Sequence, residues 1–191
     1  MADQSTLLRT RDDREIPVAG AYTIDPAHTS VEFIGRHLMI TKVRGRIPDV
    51  SGVITIDEVP ERSHVEVTLG VASLDSGNAD RDGQLRGPDF FDVANHPTMT
   101  FTSTQVTVGE SDTWLVTGDM TVRDVTCPVT FEVEFDGANA SPFGDQRIGF
   151  SAATEVDRDA WGLSFNVALE TGGVLVGKKV RIELNVQAVA S

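Results

Sequence analysis

Four histidines are the side chains of this 191-residue sequence best suited to proton transfer or metal binding: His28, His37, His64 and His96. Their spacing contains no HxH or HxxxH pair, the arrangements that place two ring nitrogens on one metal ion. A metal site is therefore not predicted. Acid–base catalysis would need His28 or His37 as the base beside a carboxylate, and this enzyme hypothesis is kept as an alternative.

Motifs for nucleophilic or phosphate chemistry do not stand out. Cys127 lies in a strand-like run without a nearby histidine or helix start that would activate its thiol. The serines form no Gly-x-Ser-x-Gly motif, and the sequence has no glycine-rich phosphate loop or dinucleotide fingerprint. The alternating charges of Asp80, Arg81 and Asp82 are expected to neutralise each other within one short helical turn. We therefore predict a protein that is not an enzyme and holds no catalytic cofactor.

One stretch, from Phe33 to Pro48, is basic although the chain as a whole is acidic. It contains no acid, and its charged or titratable residues are Arg36, His37, Lys42, Arg44 and Arg46. The apolar run 38–40 lies in the same stretch, so a hydrophobic and a cationic segment adjoin, as a ligand with a long tail and an anionic head requires. We expect the mouth of a binding cavity here. In the alternative, the apolar run caps the core and the cations form a solvated rim.

The overall charge disfavours two classes of partner. The chain has 29 Asp and Glu against 16 Lys and Arg, a formal charge of -13 and a pI near 4.6. Such a field repels nucleic acid and anionic lipid surfaces. No stretch approaches the roughly 20 apolar residues that cross a membrane, so stable membrane insertion is not expected.

Residues 1–20 are charged and show no periodic pattern, and we interpret them as a flexible N-terminal tail. They contain no apolar run long enough for the core of a signal peptide, which predicts a cytoplasmic location. Residues 21–191 are expected to form a single domain.

From Tyr22 onward, short alternations of apolar and polar residues are separated by Gly, Pro, Asn or Asp, which predicts about eight to ten strands. The expected strands are 22–24 with 30–35 as one strand bent at residues 25–28, then 50–57, 64–74, 98–108, 113–122, 129–135, 147–156, 162–169 and 180–189. Residues 78–86 are predicted to form a short helix across a barrel end. The absence of crossover helices in the pattern favours antiparallel pairing. Alternation alone fits an all-β barrel and a two-sheet sandwich almost equally well.

Ordered motifs carry a resemblance to a known family. They are residues 22–33 (YTIDPAHTSVEF), 36–46 (RHLMITKVRGR), 73–78 (SLDSGN), 89–92 (DFFD), 100–103 (TFTS), 118–122 (GDMTV) and 157–162 (DRDAWG). With these motifs the chain resembles the YceI-like proteins from about residue 22 to the C-terminus. The resemblance implies an antiparallel, lipocalin-like β-barrel with one short helix, a long apolar pocket and a homodimer. It also implies a long amphiphilic ligand such as a polyisoprenoid or an isoprenoid quinone.

The sequence therefore predicts a barrel that binds such a lipid, in place of a catalytic cofactor, for carriage, storage or sequestration. Apolar contacts are expected from Phe33, Leu38, Phe101, Trp114, Met120, Phe131, Phe150 and Phe165, because each buried ring or chain adds about 25 cal/mol per Å² of contact. Arg36, Arg44 and Arg46 are expected to meet the ligand head. Besides the enzyme hypothesis, a stress-related structural dimer with a solidly packed barrel is kept as an alternative.

Overall fold

Alternating residues form β-strands along most of the chain in a computed structural model, which describes residues 7–110, 113–170 and 172–191. The first strands are β1 (Leu8–Arg11), β2 (Arg14–Pro17), β3 (Gly20–Ile24), β4 (Ser30–His37), β5 (Thr41–Arg46), β6 (Val50–Ile56) and β7 (His64–Gly70). After the helix α1 (Ala79–Arg86) come β8 (Thr98–Val108), β9 (Trp114–Val122), β10 (Val125–Ala140), β11 (Gln146–Asp157) and β12 (Lys179–Ala190). Within these ranges, no helix has the length and apolar character needed to cross a bilayer.

The strands close into a barrel. Antiparallel pairs follow the order β3, β6, β7, β8, β9, β10, β11 and β12, and β12 pairs back onto β3. The predicted all-β antiparallel barrel of eight strands with one short helix is confirmed, and the sandwich is not formed. β4 continues β3 along β12, so β3 and β4 together make the first barrel strand. β5 pairs with β4 and precedes β6, so β5 and β6 together make the second.

The break between β3 and β4 is held by one carboxylate, in agreement with the bent strand predicted there. Asp25 accepts hydrogen bonds from the backbone N–H of Ala27 at 3.0 Å, from His28 Nδ1 at 2.8 Å and from Arg147 Nη1 at 2.6 Å. The bond from Arg147, followed by that from His28, lowers the pKa of Asp25 from 3.8 to about 2. The Asp25 side chain is only 16% exposed, so solvent screens these contacts weakly.

Asp25→Asn keeps the turn-capping acceptor but removes the charge, and it should lower the free energy of unfolding at neutral pH by about 2 kcal/mol. Because the folded-state pKa lies below the unfolded value of 3.8, the stabilisation is complete above that value and is lost as the pH falls through about 2. Urea unfolding of both proteins at a series of pH values measures this. The difference should vanish at the acid end, whereas Asp12→Asn, at a carboxylate that is 89% exposed, should change little at any pH. A pH-independent difference for Asp25→Asn would contradict the assignment.

The predicted helix is confirmed as α1, and its charged residues bind their surroundings. The Asn78 side chain caps the helix by accepting the Arg81 N–H at 2.9 Å. Arg81 Nε donates to Ser76 Oγ at 2.8 Å, and Asp82 accepts the Ser76 N–H at 2.9 Å. Arg86 Nε donates to the Ala72 carbonyl at 3.0 Å. Instead of the expected mutual neutralisation of Asp80, Arg81 and Asp82, Arg81 and Asp82 contact Ser76 in the segment after β7.

The N-terminal tail prediction needs correction. β1 and β2 form an antiparallel hairpin whose turn residues Asp12 and Asp13 have φ of 51° and 63°, which short polar side chains tolerate. Leu7 and Ile16 are each 3% exposed. A few apolar residues are enough to hold the hairpin in place, because the end of the barrel supplies the surface against which they are buried. Residues 1–6 lie outside the described ranges.

The strand predicted at residues 162–169 is also wrong. This part of the chain is irregular, apart from one isolated bridge between Ala168 and Val174. The carbonyls of Leu163 and Phe165 accept hydrogen bonds from the Arg158 side chain instead of from a neighbouring strand. The Asn166 side chain accepts the Val176 N–H at 3.0 Å and donates to the Val176 carbonyl at 2.7 Å.

Candidate binding cavity

Inward-facing side chains of the barrel enclose a cavity of about 790 Å³. Every strand of the ring contributes to its wall, which includes Ile24, Ile54, Val67, Phe101, Trp114, Phe131, Phe150 and Ile182. Because alternate residues of a strand face opposite sides of the sheet, each strand presents its apolar set to the inside. The interior is therefore a cavity with a hydrophobic wall and not a solidly packed core.

Six of the eight predicted apolar contact residues line this cavity: Phe33, Phe101, Trp114, Met120, Phe131 and Phe150. Their rings contact other wall residues. The Phe101 and Phe131 rings meet edge to face at a centroid distance of 5.3 Å, and Phe150 lies 5.3 Å from Phe135. Gly45 stands opposite Phe33, where a β-carbon would come within 2.1 Å of the ring, so this glycine leaves the ring its place on the wall. Their contact with a ligand stays a prediction.

Leu38 and Phe165 are not brought to the wall. Leu38 and Met39 have φ of 53° and 59° in the turn between β4 and β5, and Leu38 is 38% exposed there. Phe165 lies in the irregular segment after β11, with its ring 5.4 Å from that of Phe90, a lining residue. The two expectations fail because the tight turn directs Leu38 outward and because Phe165 is not in a strand.

The predicted cationic mouth is corrected in two of its three residues. Arg36 lines the opening, but Arg44 lies outside the barrel and donates to Glu32 and Glu183 at 3.2 Å each. Arg46 pairs with Asp75 at 2.9 Å, also on the exposed side. The two-residue period explains this, because Val43 lines the cavity and the alternate residues of β5 must face out. The three acids lie outside the stretch, Glu32 directly before it and Asp75 and Glu183 much later in the chain, so the stretch itself contains no acid.

The mouth is polar and lies between α1 and the β4–β5 hairpin. Besides Arg36, it is lined by His37, Thr41, Asn78, Asp80, Arg81 and Gln84. Sequence reasoning missed the α1 residues as lining groups, although it placed the helix across a barrel end. The cavity thus joins an apolar interior to an opening that offers both charges and neutral hydrogen-bonding groups.

A buried arginine organises one side of the mouth. Arg158 is 5% exposed and donates Nε–H to the Gly177 carbonyl at 3.0 Å, Nη1–H to Leu163, and Nη2–H to Phe165 at 2.9 Å and Val176 at 3.3 Å. Burial lowers the pKa of Arg158 below its ordinary value. The guanidinium lies 5.9 Å from the centre of the Phe90 ring and lines the cavity. Its four carbonyl bonds hold residues 163–165 and 176–177 against the opening, and sequence reasoning did not single out Arg158.

The candidate bases do not form a catalytic pair in the cavity. His28 is 60% exposed, bonds to Asp25 and does not line the cavity, whereas His37 stands at the mouth. His64 contacts Ser103 at 3.0 Å, and His96 lies 3.4 Å from Asp124. Across the described ranges, no group of three His, Cys, Asp or Glu side chains is arranged to hold a metal. Cys127 lies outside the lining, with Sγ 3.5 Å from the Ala160 carbonyl.

Comparison with known proteins shows the family of this barrel. Residues 22–188 match the YceI-like domain. The chain belongs to the YceI-like family. A UPF0312 protein from Staphylococcus epidermidis is 32% identical over 170 residues, which cover 87% of this chain and 95% of that protein.

Solved YceI-like structures share the architecture. Burkholderia cenocepacia BcnA has a TM-score of 0.75 at 22% identity, over 86% of this chain and 99% of BcnA. A polyisoprenoid binding domain from Saccharophagus degradans has a TM-score of 0.66 at 16% identity, over 89% of this chain and 98% of that one. At these identities the likeness is one of fold. The family match begins after the β1–β2 hairpin.

Proposed function

We propose that this YceI-like protein binds a long amphiphilic lipid of the polyisoprenoid class, with the chain inside the barrel and the head group at the mouth. The observation that carries the proposal is the apolar cavity of about 790 Å³ that opens between polar groups at one end. An apolar chain leaving water for this wall gains about 25 cal/mol per Å² buried. The bound lipid is held for carriage, storage or sequestration.

The cavity volume suits a chain of moderate length. At ~30 Å³ per methylene-sized group, about the share of a water molecule in the liquid, 790 Å³ holds roughly 26 such groups. A prenyl chain of about 20 to 25 carbons fills this space, and a much longer chain does not fit unless part of it stays outside.

The head group would lie between β4 and α1. Arg36 and Arg81 line the opening, and Thr41, Asn78 and Gln84 add neutral donors and acceptors. Arg81 already donates to Ser76, which fixes its direction. Such a rim suits a phosphate, carboxylate or carbonyl oxygen.

Family membership supports a binding role over catalysis. The Saccharophagus degradans relative is described as a polyisoprenoid binding domain, which agrees in ligand class with the cavity chemistry. The packed-barrel hypothesis requires an interior without a continuous void, contrary to the cavity observed. The homodimer and the cytoplasmic location remain predictions, which sedimentation velocity and cell fractionation check.

Lipid analysis of the natively purified protein tests the proposal. Extraction with organic solvent followed by mass spectrometry should release a prenyl lipid, and the emptied protein should take up added geranylgeraniol at close to one molecule per chain. A protein that yields no lipid and takes up no added prenyl lipid would contradict the proposal.

A further inference from the structure

The β1–β2 hairpin closes the end of the cavity opposite the mouth. Ile16 and Pro17 line the cavity together with Ile56, Pro60 and Val65, which flank the turn between β6 and β7. β7 runs from that turn toward Gly70, and α1 follows β7, so the hairpin and the helix lie at opposite ends. With Ile16 only 3% exposed, the hairpin shields this end from water.

Specific contacts hold the hairpin in place. Arg9 Nη1 donates to the Glu58 carbonyl at 2.7 Å and to its carboxylate at 2.8 Å, and Nη2 donates to the Asp57 carbonyl. Arg11 lies 3.4 Å from Glu61. On the other side, β2 lies against β10. The hairpin therefore spans the barrel end from the β6–β7 turn to β10.

The hairpin is an addition to the barrel and not part of its ring. The ring closes through β3 and β12 without it, and the family match starts at residue 22. The buried apolar residues of the hairpin face the end of the cavity. The hairpin therefore limits the length of the cavity and does not alter the mouth.

We infer that this hairpin is the floor of the lipid site and sets the longest chain that the cavity accepts, with Ile16 as the residue against which the chain ends. The inference rests on the proposed function. A larger side chain at position 16 shortens the available space, and a smaller one opens a path beneath the hairpin.

Binding of farnesol, geranylgeraniol and solanesol, in order of increasing length, tests the inference in four proteins. The unaltered protein should prefer geranylgeraniol. Ile16→Trp should weaken geranylgeraniol by roughly tenfold or more relative to farnesol, and Ile16→Gly should strengthen solanesol by a similar factor relative to geranylgeraniol. Glu15→Ala, at the exposed neighbour on β2, is the matched control and should keep the original order. An identical length preference in all four proteins would overturn the inference.

A second measurement does not depend on lipid binding. In a Cys127→Ser background, Val65→Cys places a thiol on the wall near the floor, and its reaction rate with a charged methanethiosulfonate reports access of water. Adding Ile16→Gly should raise that rate by roughly tenfold, whereas the thiol of Thr41→Cys at the mouth should react at an unchanged rate. If the rate at position 65 does not respond, the hairpin is not the floor, even where lipid binds. If it responds while no prenyl lipid binds, the floor stands and the proposed ligand class fails.

Discussion

Ala152→Trp is expected to reduce geranylgeraniol binding by more than about a hundredfold, because the larger side chain fills the middle of the cavity. Ala152 lies on the wall between Val133 of β10 and Leu184 of β12, and all three side chains line the cavity. An indole at this position occupies the path of the chain. Because the wall side chains leave a cavity beside Ala152, the indole fills part of it and should leave the free energy of unfolding unchanged or raise it by about 0.5–2 kcal/mol. Co-elution of labelled geranylgeraniol in gel filtration measures the binding.

Ala153→Trp is the matched control, since the same substitution one residue later falls on the other face of β11. Ala153 stands between Glu132 and Glu183 on the outer surface. Binding by this variant should stay within about twofold of that of the original protein. Retained binding by Ala152→Trp in a folded protein would show that the ligand does not pass through the barrel interior.

Arg158→Met is expected to lower the free energy of unfolding by about 3–5 kcal/mol, the largest loss of stability that we predict. Methionine keeps the apolar stem but leaves the carbonyl groups of Leu163, Phe165, Val176 and Gly177 without their shared donor. Arg158→Lys should recover only part of the loss, because one ammonium group cannot reproduce the planar arrangement of the guanidinium. Urea unfolding measures the stability, and hydrogen exchange of the Leu175 amide, which bonds to the Val167 carbonyl at 2.9 Å, should accelerate.

Arg44→Met provides the comparison at an exposed arginine. Its pairs with Glu32 and Glu183 lie in solvent, which screens them, so its loss should lower the free energy of unfolding far less than the loss of Arg158. An equal effect of the two substitutions would mean that the carbonyl contacts of Arg158 do not hold residues 163–165 and 176–177.

The barrel was predictable because its strands have strong alternation and clear turn residues. β8 begins and ends where the pattern does, at Thr98 and Val108, and the Asp25–Pro26 break marks the bend in the first strand. Family motifs then distinguished a barrel from a sandwich, which alternation alone leaves open. The emptiness of the interior could not be predicted from the pattern, since a filled barrel shows the same alternation.

Elements whose stability comes from remote contacts were missed. The β1–β2 hairpin has too few apolar residues to indicate a buried face, and it is stabilised by a barrel end that forms from later parts of the chain. Residues 162–169 alternate like a strand, but their carbonyls bond to Arg158. The roles of Arg44 and Arg46 depended on Glu183 and Asp75, whose proximity only the folded chain reveals.

The cations of β5 have a consequence for association between molecules. β5 pairs with β4 on one side, and in the part of the chain that the structure describes its other side meets only one isolated bridge, between Arg46 and Asp75. An uncovered strand edge invites pairing with a second chain and is a starting point for aggregation. Lys42, Arg44 and Arg46 recur at every second residue of this edge strand, and charged side chains on an edge strand disfavour such pairing. The basic residues of β5 therefore disfavour edge-to-edge pairing with further copies of the chain, and they leave the cavity open.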